Sequence, residues 1–219
     1  MGFAVETVAG EDLASNAGNR LQHPGWFHAT IVDVKDGLST QGKSINGFTV
    51  EVDIMAGKAD EANVDPKEIA GKTMSLTFFA PDLSGSAEQQ DGTRRLNTAF
   101  LVAANLIDPS KLGQAVEIDP LAAIRHHIVI HLRWKHQNVD VNGVETWVDD
   151  KQYMQIAYAD VCHIDDPQAA SIPKNVAALK FIKPEHRHKP EWFAFKAKNG
   201  NGAAPAAAKA PAGNVDVDV

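Results

Sequence analysis

The chain has 219 residues, a formal net charge of −7, 44% hydrophobic and 22% charged residues, and one cysteine. That length supports one core of about 150 residues plus appendages, and the lone Cys162 excludes a disulfide framework or a CxxC zinc or redox motif. The acidic balance argues against a general polyanion binder, and no apolar run approaches the ~18 residues of a membrane span.

Residues 1–21 mix small and polar types without periodicity and are expected to form a loosely held N-terminal arm. They set Glu6, Glu11 and Asp12 against Arg20 with no apolar stretch, so the expected location is cytoplasmic. A folded domain is expected over 22–166. From Trp26 onward Thr30, Val32 and Val34 alternate with Ile31, Asp33 and Lys35, the pattern of a strand. Asp36 to Ser44 is polar and glycine-punctuated, a loop in which Lys43 is a candidate nucleic-acid contact. Phe48, Val50, Val52 and Ile54 alternate over a second strand, and the two strands are expected to form a long hairpin. Met74, Leu76 and Phe78 mark a third, closed by Pro81.

Asp82 to Thr93 reads as a loop. Leu96, Ala99, Phe100, Val102, Ala103 and Leu106 then fall at helical spacing, predicting an amphipathic helix over 94–106 that ends before Pro109. His127 to Lys135 is the fourth long strand and Met154 to Cys162 the fifth. Between them Val139, Val141, Val144, Thr146 and Val148 flank Asn142-Gly143, predicting a small inserted hairpin with a type I′ turn. A linker, 167–173, leads into a basic, aromatic strap over 167–198, and 199–219 is too rich in alanine, proline and glycine to build a core and is expected to be a disordered tail. The order strand, strand, strand, helix, strand, strand predicts a mainly β protein, a five-stranded OB-fold-like Greek-key barrel with its helix between strands three and four. A split barrel or a small β-sandwich shares the count.

On the fourth strand Ile128, Ile130, Leu132 and Trp134 would face the core. His127, Val129, His131, Arg133 and Lys135 would then form an outward row, either a groove that tracks a polyanion or a solvated face. Trp134, Trp147 and Tyr153 come close in sequence to Lys135, His136 and Lys151, which offers stacking platforms beside cations. Packing is the alternative, favoured for Trp134, whereas Trp147, near Asp149 and Asp150, reads as semi-exposed. In the strap Lys174, Lys180, Lys183, Arg187, Lys189, Lys196 and Lys198 outnumber Glu185 and Glu191, and Phe181, Trp192, Phe193 and Phe195 interleave with them. Lys183, Arg187 and Lys189 are candidates for phosphate contact. The rings would dock on the domain or on a second subunit, which leaves a homo-oligomer open. His127 and His131 would lie ~13 Å apart along a strand and cannot share an ion. No catalytic residue, metal ligand or cofactor is assigned, and no enzyme activity is expected.

The run from Gly25 to Asp165, with its paired strands, Gly71-Lys72-Thr73 opening strand three, the arginine-headed helix and the late hairpin, resembles phage-encoded OB-fold single-stranded DNA-binding proteins of replication and recombination modules. The terminal Val215-Asp216-Val217-Asp218-Val219 after an Ala/Pro/Gly tether is similar in layout to the flexible acidic tails by which such proteins recruit partners. It departs from the bacterial form, with two aspartates and no terminal Pro-Phe. The resemblance covers about two thirds of the chain and implies sequence-independent binding of single-stranded DNA in a host cytoplasm, with replication or recombination proteins as partners of the tail. A protein-interaction or virion-associated module and a metal-dependent nuclease are the alternatives.

Overall fold

The β-branched alternation on either side of residues 36–44 builds strands longer than the apolar runs themselves. The computed structural model describes residues 19–40, 43–80, 84–114, 116–156, 158–180, 182–188 and 191–192. In it β1 (Gly25–Thr40) and β2 (Lys43–Ala59) pair antiparallel from Gly25↔Ala59 to Thr40↔Lys43. The polar stretch expected as a loop therefore continues both strands, because a ladder of backbone hydrogen bonds does not require apolar side chains. The pair closes tightly near its base. A Cβ on Gly57 would stand 2.4 Å from Phe27 Cδ1 and from the Trp26 carbonyl oxygen, so only glycine fits there.

β3 (Thr73–Phe79) pairs with β2 and buries Met74, Leu76 and Phe78 on one face. α1 (Ala87–Ala103) starts earlier than its apolar periodicity suggests, within the expected loop 82–93. Ser86 and Gln89 form a capping box, each satisfying the other's backbone N–H, which fixes the start independently of any apolar residue. Phe100 carries the helix onto the sheet, its ring centroid 4.4 Å from that of Phe78.

β4 (His127–Val141) and β5 (Val144–Gln155) form a second long hairpin. Its turn has Asn142 at φ 56° and Gly143 at φ 82°, both left-handed as a type I′ turn requires. The hairpin expected as an insertion is thus the outer half of two continuous strands. The expected fifth strand is split: β5 ends at Gln155, a 3-10 turn occupies Tyr158–Asp160, and β6 (Val161–His163) returns to pair with Ile128–Ile130.

All strands join one antiparallel sheet in the order β3-β2-β1-β4-β5, with β6 also on β4. The protein is mainly β, but the sheet is open, which corrects the expectation of a closed barrel. Past Gln155 the chain turns away instead of continuing beside β3, so β3 and β5 remain the two edges. On the outer edge of β3, Asn19–Leu21 meets Thr73 at one end, and the Asn97 amide donates to Phe79 O at 2.9 Å at the other. Thr73 N–H donates to Asn19 O at 2.9 Å, and Leu21 N–H donates to Thr73 O at 3.0 Å. Leu21 is buried, so the end of the expected arm belongs to the core.

That core lies between the inner sheet face and α1, with Phe27, Ile31, Val52, Leu76, Phe100 and Ile130 at its centre. A second, smaller cluster sits on the opposite face of β4, where Val129 packs with Cys162, Ile164, Ala169 and Ile172. The expected linker 167–173 supplies two of its five buried residues, Ala169 from a 3-10 helix, Pro167–Ser171, and Ile172 just after it. After α2 (Val176–Leu179) the chain crosses back to the end of α1, where the Asn105 amide donates to Glu185 O and Arg187 O, each at 3.0 Å. Among the described residues no helix is long and apolar enough to cross a membrane.

Candidate nucleic-acid interface

Alternation on β4 sends Ile128, Ile130 and Leu132 into the main core and His127, Val129, His131, Arg133 and Lys135 to the other face. Only the far end of that row reaches water freely. Val129 is covered by the second cluster, and His127 Nδ1 lies 3.0 Å from Thr30 Oγ1. His131 stacks on Trp26 with centroids 4.5 Å apart and planes 6° from parallel. Its Nδ1 is 3.1 Å from Asp160 Oδ1, and its Nε2 is 3.4 Å from Asp60 Oδ2. Arg133 donates to the same Asp160 oxygen. Asp160 is 1% exposed, and a carboxylate so buried needs a cation beside it. Arg133 therefore compensates a buried charge, and His131 is held against the same carboxylate, before either could serve a phosphate.

Beyond Arg133 the β4–β5 hairpin leaves the body of the sheet as a two-stranded ribbon. Trp134 is half-buried opposite Met154, in keeping with the packing role favoured for it. Lys135 is exposed. On the other ribbon face His136 Nδ1 meets Asp149 Oδ1 at 2.8 Å, and its ring stands edge-on to Trp147 at 6.4 Å. Trp147 is 72% exposed, the most solvent-accessible large ring among the described residues. Lys151 lies on β5 and Lys43 at the tip of the β1–β2 hairpin, opposite Thr40, but both side chains fall outside the described residues. Lys189, like the tail, lies outside them entirely. The structure thus brings Trp147 and Lys135 onto one ribbon and keeps Lys183 and Arg187 apart from it, on the strap.

The strap is docked. Arg187 Nη2 is 2.6 Å from Asp165 Oδ1, His188 N–H donates to Asp165 Oδ2 at 3.0 Å, and His163 Nε2 lies 3.0 Å from His186 O. Lys183 stays exposed, 3.7 Å from Glu185. Trp192 is buried against His188, as expected for packing, while Phe193 is outside the described residues. Histidines line this seam: His126 stacks on His186 at 3.9 Å and His163 on His188 at 4.4 Å. Burial pushes His28, His126, His127 and His163 down to about 4. Cations add to it, Lys174 beside His28 and Arg187 beside His127, and His126 and His127 each lie close enough to His186 that protonating one disfavours protonating the other. Burial also lowers His186 and His188. These rings are neutral packing elements at pH 7.

The outer face of β1, β2 and β3 is different. It presents Asp33, Glu51 and Asp53, with Lys35 among them, 2.6 Å from Glu51 and 3.8 Å from Asp33. A shallow groove of about 440 Å³ there runs past Glu51, Lys35 and Ser75. Excess negative charge on this face repels a phosphate backbone.

No family model, curated protein or solved structure matches the chain. The interface therefore rests on geometry alone. Among the described residues no group of three or more His, Cys, Asp or Glu is placed to hold a metal ion. Sequence reasoning missed Asp160 as the organiser of His131 and Arg133. The available signal was an aspartate inside an otherwise apolar strand pattern, Ile156 to Cys162, where an acid requires a partner.

Proposed function

We propose that this protein binds single-stranded DNA without sequence preference and performs no chemistry on it, gripping the strand along the β4–β5 ribbon. The observation that carries this reading is Trp147, 72% exposed on a ribbon that also bears the exposed Lys135. A tryptophan left in water toward the far end of the hairpin contributes nothing to the core, and stacking a base on it is worth ~1–3 kcal/mol whatever the base. The strand path supports the same reading. On this reading the order β3-β2-β1-β4-β5 with a helix between β3 and β4 is an OB-fold-like path left open between β3 and β5, and its two long hairpins take the place of the loops that flank the oligonucleotide face of that fold. The acidic outer face of β1–β3 moves the contact toward the ribbon and Lys183. Service in a phage replication or recombination module within a host cytoplasm, with partners recruited through the tail, follows from the sequence resemblance and belongs to the same proposal.

A gel shift of labelled oligo(dT) with single-stranded and duplex competitors tests it: only the single strand should compete. A protein-interaction module is the second reading, favoured by Asp33, Glu51 and Asp53 on the outer face. Failure of oligo(dT) to bind in low salt would leave that one standing.

A further inference from the structure

The two open edges of the sheet face one another across a groove of about 370 Å³. Leu76, Leu96, Met154 and Ile156 supply its apolar lining, and the rings of Phe79 and Tyr153 stand beside it 49% and 56% exposed. One wall is a strand edge with unused backbone groups. Thr73 turns its N–H and C=O outward, where Asn19–Leu21 takes both in a single parallel rung. The period of two along β3 turns the N–H and C=O of Ser75 and Thr77 the same way, and among the described residues no backbone group meets them. The ladder is begun and then left unfilled.

Edges of this kind are ordinarily guarded by charge, proline or a bulge. β3, Thr73-Met74-Ser75-Leu76-Thr77-Phe78-Phe79, carries none of them. The groove as a whole holds one charge, Arg20, and no acid, in a chain with 28 acidic residues. A single cation is too little for a polyphosphate, whose binding depends on several. It is enough to orient one carboxylate.

We infer that the β3–β5 seam is a docking site for an extended peptide of a partner protein, which adds to β3 as a strand beyond the Asn19–Leu21 rung. The peptide carries apolar side chains at alternate positions, to meet the half-buried Leu96, Met154 and Ile156, and a carboxylate toward Arg20. Backbone hydrogen bonds to Ser75 and Thr77 supply affinity, and the alternation and the acid supply specificity. The groove takes the base of β5 from Tyr153, while Trp147 stands toward the turn of the same strand; the peptide is therefore scored at the Ser75 and Thr77 amides of β3, whose protection by the probe does not depend on DNA binding.

The test uses the full chain and a labelled acetyl-Val-Thr-Val-Thr-Val-Asp probe, followed by anisotropy and by amide hydrogen exchange. At ten times its Kd the probe should slow exchange of the Ser75 and Thr77 amides about tenfold. The same peptide N-methylated at alternate amides should not bind, a control that leaves the protein unaltered. Arg20→Gln should weaken this probe about threefold or more without changing the affinity of acetyl-Val-Thr-Val-Thr-Val-Asn-amide, which has no carboxylate. Unchanged exchange at about 1 mM probe would overturn the proposal, as would equal binding of the N-methylated peptide. Protection of Ser75 and Thr77 by oligo(dT) in place of the probe would assign the seam to nucleic acid, and protection that rises with protein concentration alone would assign it to a second copy. Either result also overturns it.

Discussion

Lys135 and Trp147 occupy the same β-ribbon but point to opposite faces of it. Trp147 stands across from Asn138, and His136 shares its face with the two rings edge-on at 6.4 Å, so Lys135, one residue earlier, projects the other way. A single strand stacked on Trp147 therefore meets the Lys135 charge only by wrapping the ribbon edge. The two residues should contribute differently, the ring through contact and the lysine through longer-range attraction.

Neither residue supports the fold. Trp147→Ala and Lys135→Ala should each leave thermal stability within about 0.5 kcal/mol of the parent, while Leu132→Ala, fully buried in the main core, should lose about 2–5 kcal/mol to the cavity it creates. Thermal melts of the three variants check this, and a Lys135→Ala loss as large as that of Leu132→Ala would overturn the facing of β4.

Arg133 is expected to act on stability before binding. Removing it takes one charged hydrogen-bond donor from the buried Asp160 carboxylate, and Arg133 itself is half exposed, so Arg133→Ala should cost about 1.5–3 kcal/mol. Denaturant unfolding measures it. An unchanged midpoint together with lost oligonucleotide affinity would make Arg133 a phosphate contact instead.

Acid should release the strap. In the folded chain His28, His126, His127 and His163 are held down to about 4 by burial, below the 6.5 of the unfolded chain. The unfolded or undocked chain therefore takes up protons first. The stability these neutral rings allow is intact above pH 6.5 and falls as pH drops from 6.5 toward 4, by about 1.4 kcal/mol per unit for each such proton. Arg187 and Lys174, close to these rings, work in the same direction, and Asp165 opposes them at His163. Trp192 fluorescence, followed against pH, should report loss of its buried environment before the main core melts. A signal flat between about pH 7 and about pH 5 would contradict this account of the seam.

Much of this architecture was legible in local pattern. Alternation placed Ile128, Ile130 and Leu132 inside, and Asn142-Gly143 marked its turn, because both depend on residues adjacent in sequence. The early start of α1 was also written locally, in Ser86 and Gln89, but an apolar count does not register a capping box whose contribution is made by hydrogen bonds. That the strap's rings pack was legible; where the strap docks was not. Val129 on β4 meets Ile172, and Asn105 meets the carbonyls of Glu185 and Arg187, across long stretches of chain that no periodicity connects. For the same reason the cations expected along β4 proved to be committed in part: their partner, Asp160, lies on the far side of the ribbon hairpin. Barrel closure failed as an inference because strand count fixes neighbours but not whether the last edge meets the first.

The most direct test of the account is a titration of labelled oligo(dT) at several salt concentrations with the parent chain, Trp147→Ala and Lys135→Ala side by side. The parent should bind, and log affinity should fall with log salt by about 0.7 per phosphate contacted. Trp147→Ala should lose about tenfold at every salt concentration with an unchanged slope, since a base stack is worth ~1–3 kcal/mol and involves no counterion. Lys135→Ala should lose less and flatten the slope by less than one phosphate's share. Trp147→Ala binding as tightly as the parent, or duplex DNA binding as tightly as oligo(dT), would contradict the assignment of the ribbon as a single-strand interface.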